Sequence, residues 1–141
     1  MNEETAAMDY LVTYLSADST LMGMVNGIFM RSVPTSAPMP VVKLDVVERS
    51  DLMVVDLYRV WSDLGILVRA AAENTERDQP DWSEVRAIAD RLDALLHKHE
   101  ATTSELEIHS YREEPFSDET IEDSKLYLHA GGIYRVRAHA V

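Results

Sequence analysis

Apolar residues recur along this chain with two different periods, and each change of period marks an element. Met8, Leu11, Val12 and Leu15 fall at i, i+3, i+4 and i+7, one stripe of a helix over Ala7–Leu15. Glu3 and Glu4 stand in or before its first turn, where carboxylates complement the positive end of the helix dipole. Asp18 or Ser19 is placed to cap a second short turn that carries Leu21, Met22 and Val25. Asn26-Gly27 is a turn signal, and Ile28 to Arg31 reads as a short strand. Three prolines between Ser32 and Pro40 deny backbone donors and predict a loop.

The period then shortens to two. Over Val41–Glu48, Val42, Leu44 and Val46 share one face of a strand, and Lys43 and Asp45 the other. Arg49–Leu57 is ambiguous: it extends a hairpin or forms an apolar loop. Tyr58–Ala72 reads as a long strand with a bulge at Gly65, with Ile66, Val68 and Ala70 inward and Leu67 and Arg69 outward. Asp81-Trp82-Ser83-Glu84 has the spacing of a capping box. The helix after it shows the clearest stripe: Val85, Ile88, Ala89, Leu92, Leu95, Leu96 and His99, with His97, Lys98 and His99 in its last turn. Leu106–Tyr111 is a strand, and Glu113–Asp123, acidic and holding Pro115, reads as a turn. Lys125–Leu128 and Ile133–Val141 are strands separated or bulged at Gly131-Gly132, the second running to the last residue. The expected fold is α+β: a mostly antiparallel sheet of about four to five strands with two main helices packed on it, in one domain over residues 1–141.

Composition narrows the function classes. A chain of 141 residues with 46% hydrophobic content has enough apolar surface for a real core. It carries 25 Asp and Glu against 13 Lys and Arg, a formal charge of −12. Tight nucleic-acid binding needs cations to replace phosphate counterions, so this balance argues against it. Cysteine is absent, which removes disulfides, thiolate metal sites and thiol nucleophiles. No stretch approaches a membrane span, and Met1-Asn2-Glu3-Glu4 does not resemble a signal peptide. The expectation is a soluble protein made in the cytoplasm, with no membrane partner.

The candidate chemistry is thin. His97 and His99 are two apart and face different ways on a helix, and the i, i+4 spacing of helical metal ligands is missing. His109, His129 and His139 lie on separate strands, so surface or strand-packing roles are the ordinary reading. Paired carboxylates such as Glu113-Glu114 and Glu122-Asp123 carry no information in so acidic a chain. There is no nucleophile elbow, no phosphate-binding loop and no dinucleotide fingerprint. No catalytic residue, metal or cofactor is assigned, and the protein is read as a non-enzyme. What stands out instead is surface. Leu52, Met53 and Val55, with Tyr58 and Trp61 beside them, form an apolar segment that faces the core or marks a protein contact. In the last strand Ile133, Arg135, Arg137, His139 and Val141 share a face opposite Tyr134, Val136, Ala138 and Ala140. That basic face is either solvated or pairs, through Arg135 and Arg137, with carboxylates of a neighbouring subunit.

Several of these segments, taken in order, resemble the tail terminator (tail-completion) proteins of long-tailed bacteriophages. They are the Tyr10–Leu15 helix with Ala17-Asp18, Val25-Asn26-Gly27-Ile28-Phe29, and the proline loop into Met39-Pro40-Val41-Val42. The Ile66–Ala71 strand, the Val85–Leu96 helix and Gly132-Ile133-Tyr134-Arg135-Val136 complete the set. The match spans about Met8 to Val141 and is architectural. The stretch between the Pro40 and Ile66 strands, long and apolar, departs from the pattern, as does the acidic Glu113–Asp123. The resemblance implies a subunit of a hexameric ring in the virion, at the head–tail junction. Such a ring caps the tail tube, ends its polymerisation and offers a surface to the head. Its partners would be copies of itself, the tail-tube protein and a head-completion or neck protein, with DNA passing through the ring without specific binding and no membrane partner. A closed ring needs two different patches that meet head to tail. The alternatives are another neck component, such as a head-completion or head–tail adaptor protein, and a small acidic enzyme or ligand-binding module.

Overall fold

The chain forms nine elements in a computed structural model that describes residues 3–53, 60–74 and 80–140, with only the backbone of residues 52, 53 and 60. In chain order they are α1 (Glu3–Ser16), α2 (Ser19–Met22), β1 (Ile28–Met30), β2 (Val41–Met53), β3 (Val60–Asn74), α3 (Ser83–Leu96), β4 (His99–Thr102), β5 (Leu106–Glu122) and β6 (Lys125–Ala140). The strands make one sheet in the order β1-β2-β3-β6-β5-β4. β1 lies parallel to β2 and every other pair is antiparallel. The fold is thus α+β as expected, with six strands where four to five were read and with three helices. The additional strand is β4, which begins at His99.

The two periods produce the core. Ala7, Met8, Leu11 and Leu15 of α1 are buried, as are Val85, Ile88, Leu92 and Leu96 of α3. Both stripes lie against the inward residues of the sheet, among them Leu44, Leu64, Ile66, Val68, Tyr134, Val136 and Ala138. Each fully buried Leu or Ile contributes about 1.5–3 kcal/mol relative to exposure. α2 is capped by Asp18, whose carboxylate accepts the Leu21 N–H at 2.8 Å and also clamps the Arg91 guanidinium of α3 at 2.6 and 2.9 Å. One side chain therefore ends a helix and ties it to another.

Four local expectations are corrected. The capping box at α3 does not form: Asp81 Oδ1 accepts the Ser83 N–H, two residues on, and Trp82 is the cap residue with no side-chain bond. α3 stops at Leu96, so His97 and His99 are not in its last turn; Lys98, at φ 58°, swings the chain into β4. The bulge beside Gly65 lies on the partner strand, where Val47 is the extra residue between Val46 and Glu48. Gly131-Gly132 does not break β6.

The largest correction concerns Glu113–Asp123, which is strand and not turn. β5 runs through it to Glu122, paired with β6 throughout apart from an extra residue at Glu113. The reversal is confined to Asp123 and Ser124, both at positive φ, the conformation of a two-residue hairpin turn. β4 pairs with β5 only over Glu107–Ser110, so Tyr111 to Glu122 is a free sheet edge among the described residues. An edge tolerates Pro115, because no neighbour needs its missing N–H.

Candidate assembly surface

α1 and α3 cover one face of the sheet, which leaves the opposite face for contacts. Its centre is built by the outward positions of β3, β6 and β5. Asp63 stands opposite Arg137, Gly65 opposite Arg135, and Tyr111 opposite Arg135 from the other side. Gly65 lacks a side chain where the Arg135 guanidinium reaches across to Glu48 on β2 at 3.3 Å. Arg135 also meets Asp63 at 3.5 Å and Glu113 at 2.9 Å, and its side chain is only 11% exposed. Burial works against its charge, but Glu48, Asp63 and Glu113 outweigh it and hold the guanidinium more firmly protonated than usual. The bulge at Glu113 supplies one of these three carboxylates. Arg137 is more open, at 45%, and shares Asp63 at 3.8 Å. The Arg135 charge is thus met inside the subunit, by its own chain.

The other residues expected at a contact fall as follows. Leu52 pairs with Trp61 and Met53 with Val60 in the β2–β3 ladder. The ambiguous segment therefore extends the hairpin as far as Met53, while Val55 and Tyr58 lie outside the described residues. Trp61 is half-buried, with its ring 5.0 Å from His139 and 5.5 Å from His109. His109 lies between Glu107 at 3.3 Å and Glu100 at 3.4 Å. Trp61, Arg137 and Arg135 are brought to one face, in a row running inward from the end of the sheet that holds His139.

His97 and His99 tie elements together. His97 Nδ1 accepts the Arg112 N–H at 3.0 Å. His99 stacks on Tyr14, 4.1 Å between centroids, with its Nε2 2.7 Å from the Tyr10 hydroxyl; burial lowers its pKa. The described residues hold no group of three or more His, Asp or Glu placed to bind a metal ion. No described helix is long and apolar enough to cross a membrane.

One feature of the outer face had no clear signal in the sequence. Lys43 of β2, Arg69 of β3 and His129 of β6 line a hollow of about 370 Å³, walled by the proline loop at Pro34 and Met39. The outward alternation of Lys43 and Arg69 was readable, but the face of His129 and which three strands lie side by side were not. The ladder supplies both: Arg69 pairs with Lys43 on one side, and Ala71, two residues on, pairs with His129 on the other.

No protein-family model matches this chain, and no curated protein matches it by sequence. By fold it is similar to a chain in the virion of native gene transfer agent (GTA) particle, with a TM-score of 0.68 and 12% identity over 90% of this chain and 90% of that one. At that identity the likeness establishes a shared fold over nine tenths of both chains.

Proposed function

We propose that this protein is a structural component of a phage-like virion, and that it acts as the tail terminator: a ring, taken as six copies, that caps the tail tube, ends its growth and presents a joining surface to the head. The observation that carries the reading is the fold shared with a chain of a gene transfer agent virion over nine tenths of both chains. The terminator role adds the order of segments described above, from the Tyr10–Leu15 helix to Gly132–Val136. The outer face supports it too, since a sheet covered on one side by helices leaves a broad second side for contacts between subunits. The charge of −12 suits a ring through which DNA passes without sticking. Leu52, Met53, Val55, Tyr58, Trp61 and Arg137 are the residues proposed for subunit or tube contacts, with Arg135, held by Glu48, Asp63 and Glu113 of its own chain, proposed to support that face from beneath.

The test is deletion of the gene, followed by electron microscopy and mass spectrometry of particles. The expected result is over-long or unjoinable tails, with the protein present in wild-type particles at the head–tail junction. Normal free tails beside unfinished heads would move the protein to another neck component. Absence from particles that assemble normally would remove the structural reading altogether.

A further inference from the structure

We propose that the hollow between β2, β3 and β6 is a receptor for a carboxylate side chain, donated by the acidic β5 edge of a second copy. Arg69 Nε and His129 Nδ1 are both buried without a hydrogen-bond partner, the two such side-chain atoms found among the described residues. Both residues line the hollow. Orphaned nitrogens on two residues of one hollow carry an uncompensated desolvation cost, which an acceptor brought to them would relieve. The local charge favours an anionic one. Lys43 and Arg69 share a single carboxylate, Asp45, at 3.5 and 4.0 Å, too long to satisfy either fully. Glu122 and Asp123 stand at the rim, but both are exposed and screened by solvent. At the His129 ring burial and then the Arg69 charge dominate, ahead of Asp118 and Glu122, and keep the imidazole neutral. A neutral imidazole with Nε2 3.2 Å from the Thr120 hydroxyl can carry its proton on Nδ1. Both nitrogens are closed to water, so a carboxylate that enters would displace the side chains over them before accepting from Nδ1–H and from Arg69 Nε–H, with Lys43 beside it.

The choice of donor rests on the assembly reading above. β5 carries Glu114 and Glu119 exposed on its free edge, and neither has a cation partner within the described residues. The Lys43–Arg69 pair in the hollow, whose far wall is the Thr120–Asp123 end of the same hairpin, and the Glu114–Glu119 stretch of the free edge are two unlike patches of the kind a head-to-tail contact requires.

Two experiments separate the receptor from the donor. The first is a nuclear magnetic resonance titration of the full chain with acetate at constant ionic strength, following the Arg69 Nε–H and His129 ring signals, with chloride as control. A saturable shift is expected, weakened about tenfold or more in Arg69→Gln, and in Lys43→Gln should the first variant misfold. No saturable shift, as a bridging water alone would give, overturns the receptor; so does an equal response to chloride. The second is carbodiimide treatment of virions assembled from isotopically light and heavy copies. A mixed-isotope cross-link from Lys43 to Glu114 or Glu119 is expected. Cross-links from Lys43 only to its own Asp45, or to another protein, overturn the second copy as donor. Should the chain be missing from virions, the assembly reading fails, while the acetate titration still decides the receptor.

Discussion

Of the glycines, Gly131 has the least room for a side chain. A Cβ there would lie 1.9 Å from the Val68 carbonyl oxygen and 2.8 Å from Arg69 Cα, both backbone atoms of β3 that no rotamer change can move. At Gly132 the nearest atom would be the Glu114 carbonyl at 3.1 Å, with the flexible Arg112 side chain next. Gly131→Ala is therefore expected to cost about 3 kcal/mol or more, and Gly132→Ala clearly less. Denaturant midpoints measure both, and equal losses would contradict the close β3–β6 approach. In the sequence the two glycines look alike, and a bulge was the ordinary reading of the pair. Only the strand pairing, which sets Gly131 against Arg69, tells them apart. Arg135 repeats the lesson. Its outward position follows from alternation, but its three partners come from β2, β3 and β5, and no local pattern names them.

Among elements, the joint between α1 and β4 has a pH dependence of its own. Tyr10 and His99 sit 2.7 Å apart and Tyr14 stacks on the same ring, while the Tyr14 hydroxyl donates to the Leu95 carbonyl at the end of α3. Burial lowers the His99 pKa below its ordinary 6.5. A histidine whose folded value is depressed stabilises the fold fully above the unfolded value, and that contribution is lost as pH falls from about 6.5 through the folded value. When Nε2 is the bare nitrogen it accepts the Tyr10 hydroxyl, and a proton there removes the acceptor. Resistance to denaturant is expected to drop between pH 7 and pH 5, by less in His99→Gln; an identical slope in the variant would contradict this. How legible each element was depends on what its two faces meet. α1, α3, β3 and most of β6 each bury one side more deeply than the other, so their periods show. The Tyr111–Glu122 part of β5 is exposed on nearly every residue, so no alternation marks it as strand, and its proline and carboxylates imitate a turn. β4 is four residues long, too short for a period to register beside the helix it follows.

For the whole molecule the excess of acid over base sets the solution behaviour. With a sequence pI near 4.7, repulsion between copies vanishes in mild acid, and solubility is expected to pass through a minimum close to that pH. Turbidity across pH 4 to 7 checks this; clear solutions throughout would show that contacts other than charge govern association. Net charge was available from composition. The placement of charge was not, because the sheet gathers basic residues from β2, β3 and β6 into one hollow and leaves carboxylates along the outer edge of β5.

That outer edge has a further consequence. A bare strand invites another strand to zip onto it, and a crowd of identical copies could then stack without limit. Here Pro115 withholds a donor, the extra residue at Glu113 bends the ladder, and Glu114, Asp118, Glu119 and Glu122 repel an incoming twin. Any meeting of copies at this edge is left to side chains rather than to backbone. In the assembly proposed above, a subunit seated wrongly could then leave and try again, because no continuous backbone ladder would hold it in place.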